Sequence, residues 1–242
     1  MRNLFFYMEK QKLHDCFLIM DEKQKPRGYL LPILAAIFTF ALIPFNTVEA
    51  ASIKEAMELD RNGFYEEAIE EWEKLQLEST ANIKFFAGLK ISGNNAKLGN
   101  LNRAEEVSKA LTLSNPQQYE SWFSYANASG ALKKYSQAIS AFKKSIALKP
   151  EEGLGKVGLA FAFFGDEKPD LAIAELKEAM KIFKANKNIS WYQDCRLAIR
   201  QIKDFARFPQ KFADLWLRKN LKRIQDTFEN SLLDFEKILE VK

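Results

Sequence analysis

The sequence predicts an all-α fold, a solenoid of helix-turn-helix units followed by a C-terminal helical segment. Three observations carry that expectation. Ala104, Ala138 and Ala172 recur at intervals of 34 residues, as do Pro116 and Pro150. Around these markers apolar residues run at helical spacing, break at a turn and resume, the pattern of two antiparallel helices per unit. After Asn186 the period stops, and Leu217, Leu221, Ile224, Phe228, Leu232, Phe235 and Leu239 follow at steps of three or four, the apolar stripe of one long amphipathic helix.

Aligning the three alanines divides the middle of the chain into 85–118, 119–152 and 153–186. In the second unit Trp122, Tyr125 and Ala126 mark the first helix, Tyr135 follows the turn, and Ala138, Phe142 and Ser145 mark the second. Pro150 closes the unit, because proline cannot continue the helix before it. Ala126 and Ala138 fall where two helix backbones approach, and a bulky side chain there would push them apart. An earlier partial unit shows as Gly63, Tyr65, Ala68 and Trp72, with Ala68 lying 36 residues before Ala104, so two residues are inserted between these units.

The first 50 residues read differently. The stretch 29–45 has no charged side chain, follows Lys23, Lys25 and Arg27, and leads to Val48 and Ala50 at the minus-three and minus-one positions of a cut before Ala51. That is the layout of a secretory signal peptide. A retained membrane anchor is the alternative, since 29–45 lies at the short end of the spanning range. Residues 1–19 make the leader long, and a start at Met20 would remove His14, the chain's one histidine, and Cys16. The expected organisation is a leader at 1–50, repeats at 51–186 and a helical cap at 187–242, in a periplasmic or other extracytoplasmic compartment; the long helix of the cap covers the open end of the array or, as the alternative, binds a partner or associates with itself.

From Ala51 onward the chain holds no histidine and one cysteine, Cys195. A Ser-His-Asp or Cys-His arrangement, a histidine metal site and a thiolate zinc site therefore cannot be assembled there. No phosphate-binding glycine motif occurs. The expectation is a protein that is not an enzyme, with no catalytic, cofactor-binding or metal-binding residues, although carboxylates alone could still serve catalysis. Cys195 shares an apolar stripe with Trp191 and Ile202 and reads as a buried thiol. The acidic run Glu66, Glu67, Glu70, Glu71 and Glu73 reads as a solvated helix face.

Charge is uneven. The formal net charge is +4, yet 181–223 carries twelve Lys and Arg against three Asp. Arg196, Arg200, Lys203 and Arg207 recur at helical steps and form one basic face. That face is either solvated or turned toward an anionic membrane surface or an acidic protein. Nucleic acid is not an expected partner.

The middle unit, with Trp122, Tyr125-Ala126, Tyr135, Ala138, Phe142 and Pro150, resembles the tetratricopeptide repeat, a 34-residue helix-turn-helix unit. Gly99, Leu101, Ala104 and Pro116 in the unit before it, and Leu159-Ala160, Phe163, Ala172 and Ala179 in the unit after, match less fully. The resemblance implies a right-handed α-solenoid and non-catalytic binding of a protein or peptide partner, as a scaffold or assembly factor. It further implies that the first helix of each pair lines a concave groove, which would place Leu89, Phe123, Asn127, Phe161 and Phe164 at the partner surface. The same aromatics could instead pack between helices. A membrane-tethered structural protein, anchored by 29–45 and pressed to lipid by the basic face, is the alternative function.

Overall fold

The computed structural model describes residues 45–205 and 210–232. Residues 1–44 of the expected leader, Arg207, Pro209, Phe235 and Leu239 lie outside the described residues, and the last six residues of that leader, 45–50, begin the first helix. The chain divides into two compact units, Met1–Thr47 and Val48–Lys242, and nearly every described residue belongs to the second.

The described helices pair along the chain. Helices α1 (Phe45–Asn62) and α2 (Tyr65–Glu78) come first, then α3 (Ala81–Lys97) with α4 (Leu101–Ser114), α5 (Tyr119–Ala131) with α6 (Tyr135–Leu148), and α7 (Gly153–Gly165) with α8 (Pro169–Ala185). Helices α9 (Ile189–Asp204) and α10 (Gln210–Ser231) follow. This is an α-solenoid of tetratricopeptide-like units.

Each pair turns by the same device. Gly63, Gly99, Lys133, Glu167 and Lys187 all have φ between 57° and 83°. At each, the next residue's N–H reaches five residues back, as in Phe64 N–H to the Leu59 carbonyl and Lys134 N–H to the Ser129 carbonyl. This is the Schellman arrangement, in which a left-handed residue lets the chain satisfy the last carbonyls of one helix and leave its axis. The first four of these residues stand 36, 34 and 34 apart, which is the repeat read at its turns. Helices α2, α4 and α6 have 14 residues each, whereas α3 has 17 against 13 in α5 and α7. Helix α3 is thus four residues longer while the linker before it, 79–80, is two shorter than 115–118, which together account for the two inserted residues.

The small residues mark close helix crossings. Ala68, Ala104, Ala138 and Ala172 are all 0 % exposed. Ser92, Ala126 and Ala160 are the buried counterparts on the first helices, and Ser92 Oγ donates to the Ala104 carbonyl at 3.0 Å. Trp72, Phe86, Phe123 and Phe142 fill the volume between crossings, with Trp72 edge-on to Phe86 and Phe123 edge-on to Phe142. Burying each such ring stabilises the array by roughly 1.5–3 kcal/mol. At the proline markers, the Trp122 indole N–H donates to the Pro116 carbonyl at 2.8 Å, tying the start of α5 to the turn before it.

Helices α3, α5 and α7 touch one another directly, so they form the inner layer, and α4, α6 and α8 stand outside them. Helix α9 packs on α8, with the Trp191 and Phe183 rings stacked at 5.9 Å, and covers the end of the array. The long helix departs from the expected end cap. Instead of covering the terminus, α10 turns back and lies against α7 and α5 on the concave side. Its 22 residues span about 33 Å, too long for one exposed pair and comparable to three helix-to-helix spacings.

Candidate functional site

The inner helices present their apolar positions at helical steps. On α5, Phe123 and Asn127 lie four residues apart on one face, and on α7, Phe161 and Phe164 lie three apart. Both pairs face α10. Phe123 packs on Phe228 with ring centroids 4.5 Å apart and planes tilted by 31°, and Trp216 meets Phe161 and Phe164 edge-on, each at 5.3 Å. Phe205 closes the Trp216 cluster at 5.1 Å. The Trp216 indole N–H donates to Gln201 Oε1 at 2.8 Å, so the ring's polar edge is satisfied as well as its faces.

A polar chain runs beside the aromatics. Asn127 Nδ2 donates to Gln225 Oε1 at 2.9 Å, and Gln225 Nε2 donates to Glu229 Oε1 at 2.8 Å. Glu229 pairs with Lys97 on α3 at 2.5 Å, Lys97 lies 3.8 Å from Asp60 on α1, and Asp60 pairs with Lys90 at 2.5 Å. Burial works to lower the Lys97 pKa, but the charge and hydrogen bond of Glu229, with Asp60 behind it, outweigh that and hold it above its ordinary value. Gly93 gives Glu229 its room: a Cβ there would stand 2.6 Å from Glu229 Oε1. At the other end Lys133 pairs with Asp214 at 3.1 Å, on the surface. Arg223 pairs with Asp194 and lies over the Trp191 ring.

The expected groove residues thus divide. Phe123, Asn127, Phe161 and Phe164 do line the concave side, but the chain's own α10 covers them, leaving Phe123 at 0 % and Phe161 at 2 % exposed. Leu89 is buried within the main core. Spacing within the repeats assigns Trp216, Gln225, Phe228, Glu229, Lys97 and Gly93 no part in the groove. The signal available was α10's own pattern of aromatic and amide residues, spaced to match Phe161, Asn127 and Phe123. Beside α10, on its α3 side, the groove stays open as a cavity of about 420 Å³ between Ser92, Ala96 and Lys97 on one wall and Leu221 and Gln225 on the other.

On the basic face, Arg196, Arg200 and Lys203 are exposed and form no ion pair among the described residues; Arg207 lies outside them. Cys195 is 1 % exposed, and burial, with a smaller push from Asp194, drives its thiol pKa up to about 12. Most of the acidic run on α2 faces solvent, with Glu71 paired to Lys74. Among the described residues no helix is long and apolar enough to cross a membrane.

No protein-family model and no curated protein sequence matches the chain. Solved structures do. A crystal structure of MamA superposes with a TM-score of 0.52 at 16% identity, over 75% of this chain and 96% of that one. The MamA RS-1 ArsTM double mutant gives 0.53 at 19% identity, over 74% and 97%, and a further MamA crystal structure gives 0.51 at 19%, over 59% and 76%. At these identities the likeness is one of fold, and the fold the chain shares with them is a tetratricopeptide-type helical solenoid.

Proposed function

We propose that this chain is a non-catalytic protein-interaction scaffold that holds a partner's amphipathic helix in its concave groove. The observation that carries this reading is the groove's capacity to seat such a helix, seen in the way Phe123, Asn127, Phe161 and Phe164 receive α10. Aromatic walls supply affinity without direction, and one amide with two lysines supplies register. The buried Cys195 thiol is protonated at neutral pH and is no nucleophile. The leader at 1–50 supports action in a periplasmic or other extracytoplasmic compartment, as an assembly factor there.

A crosslinked capture of the tagged native protein from an envelope fraction tests both parts, with the bait's mass read in the same sample. A bait beginning at Ala51 with one enriched protein is the expected result. Recovery of uncut bait with bulk membrane and no specific protein would favour the second reading, a membrane-tethered structural protein. That reading draws on Arg196, Arg200 and Lys203, which are exposed and form no ion pair among the described residues, and charge reversal at the three would weaken the hold of a chain beginning at Ala51 on anionic vesicles.

A further inference from the structure

Helix α10 meets the groove through residues at defined steps. From Asp214, which pairs with Lys133, Trp216 follows at two, Leu221 at seven, Gln225 at eleven, Phe228 at fourteen and Glu229 at fifteen. Each has its own receiver: Phe161 and Phe164 for Trp216, Gly130 for Leu221, Asn127 for Gln225, Phe123 for Phe228, and Lys97 across Gly93 for Glu229. The two acids meet the groove's two lysines, while Lys211, Arg218, Lys219 and Lys222 are exposed. A helix with basic residues at the two ends of this pattern would set like charges against Lys97 and Lys133.

Resting on the scaffold reading above, we propose that α10 is an internal ligand of the groove. The partner is then an amphipathic helix with the same pattern of acid, aromatic, leucine, amide, aromatic and acid across sixteen residues, which takes the groove by exchange with α10. Helix α9 already covers the end of the array, so α10 is not the element that closes it there. Everything α10 offers the groove is side-chain chemistry that a second helix can supply in kind. The 420 Å³ opening along α10's α3 side lets an incoming helix engage Lys97 and the Ser92–Ala96 wall before α10 leaves.

The test uses the full chain and a labelled synthetic peptide of residues 210–232, with binding read by fluorescence anisotropy. Phe228→Ala or Glu229→Lys in the chain's own α10 loosens the internal ligand and leaves the groove intact, so peptide affinity rises about tenfold or more as the open fraction grows. Phe123→Ala, in the groove, lowers it. Gly93→Cys with Glu229→Cys, in a Cys16→Ser background, closes α10 onto α3 when oxidised; binding is lost and returns on reduction. Unchanged affinity in the loosened variants at unchanged helicity, or equal binding by the disulfide-closed chain, overturns the proposal. Should the loosened variants fail to fold, the disulfide pair decides alone. Repeating the envelope capture with closed and open forms separates this idea from the scaffold reading: a protein captured equally by both overturns exchange and leaves the scaffold standing. Peptide exchange with no captured protein supports exchange and counts against the scaffold.

Discussion

Phe123 of α5 and Phe228 of α10 meet with ring centroids 4.5 Å apart although they lie 105 positions apart in the chain, and through this contact the C-terminal helix occupies the groove. Phe123 is also held edge-on by Phe142 from α6. One ring therefore belongs to both the repeat core and the groove.

Truncating the outer partner should separate these roles. Phe228→Ala removes a ring that is 2 % exposed, and a loss of about 3 kcal/mol is expected, in line with other buried Phe→Ala changes. Amide exchange should quicken across α10 while α5 and α6 keep their protection. Equal loss of protection in all three would mean that α10 is part of one cooperative unit with the repeats.

Two glycines give opposite expectations. At Gly158 an added Cβ would stand 2.3 Å from the ring of Phe142, itself fully buried, whereas at Gly130 the nearest atoms are those of Leu221 at 3.6 Å and more. Gly158→Ala should cost about 1–2 kcal/mol, overpacking outweighing the gain in helix propensity. Gly130→Ala should be neutral or stabilise by up to about 1 kcal/mol. Denaturant midpoints of the pair check both.

The repeated turn offers a stabilising change. Glu167 sits at φ 58°, a conformation that costs a side-chain-bearing residue energy and glycine little, and it makes no ion pair among the described residues. Glu167→Gly is expected to gain about 0.5–1 kcal/mol, seen as a rise in Tm. A fall would show that the Glu167 side chain stabilises the turn by more than its backbone strain costs.

Alkaline pH should weaken the fold through Cys195. Its folded pKa, near 12, exceeds the ordinary value of about 8.5, so between them the folded state holds a proton that the unfolded state has released. Stability therefore falls as pH rises through that window, by at most about 1.4 kcal/mol per pH unit from this group. Cys195→Ala should flatten the dependence relative to the parent chain, and the thiol of the folded parent should resist modification at neutral pH. Rapid labelling there would contradict the burial.

The repeats were legible because the signal is local. Ala104, Ala138 and Ala172 name the close crossings, and Pro116 and Pro150 the ends of second helices, without reference to any distant residue. The turns were harder to read: Gly63 and Gly99 announce a left-handed residue, but Lys133 and Glu167 adopt it with no sign in their side chains. The groove positions Phe123, Asn127, Phe161 and Phe164 were found by helical phase, yet nothing in phase names what covers them.

By itself the sequence determined the repeat helices and their pairing, since these follow from spacing within about 34 residues. Only the tertiary structure decided where α10 goes. Its apolar stripe suits either the open end of the array or the concave wall, and the choice turns on shape: α9 had taken the end, and Gly93, Gly130 and the rings of Phe123 and Phe161 together form a trough that receives Glu229, Leu221, Phe228 and Trp216. That trough is assembled from three separate units and has no counterpart in any single stretch of chain.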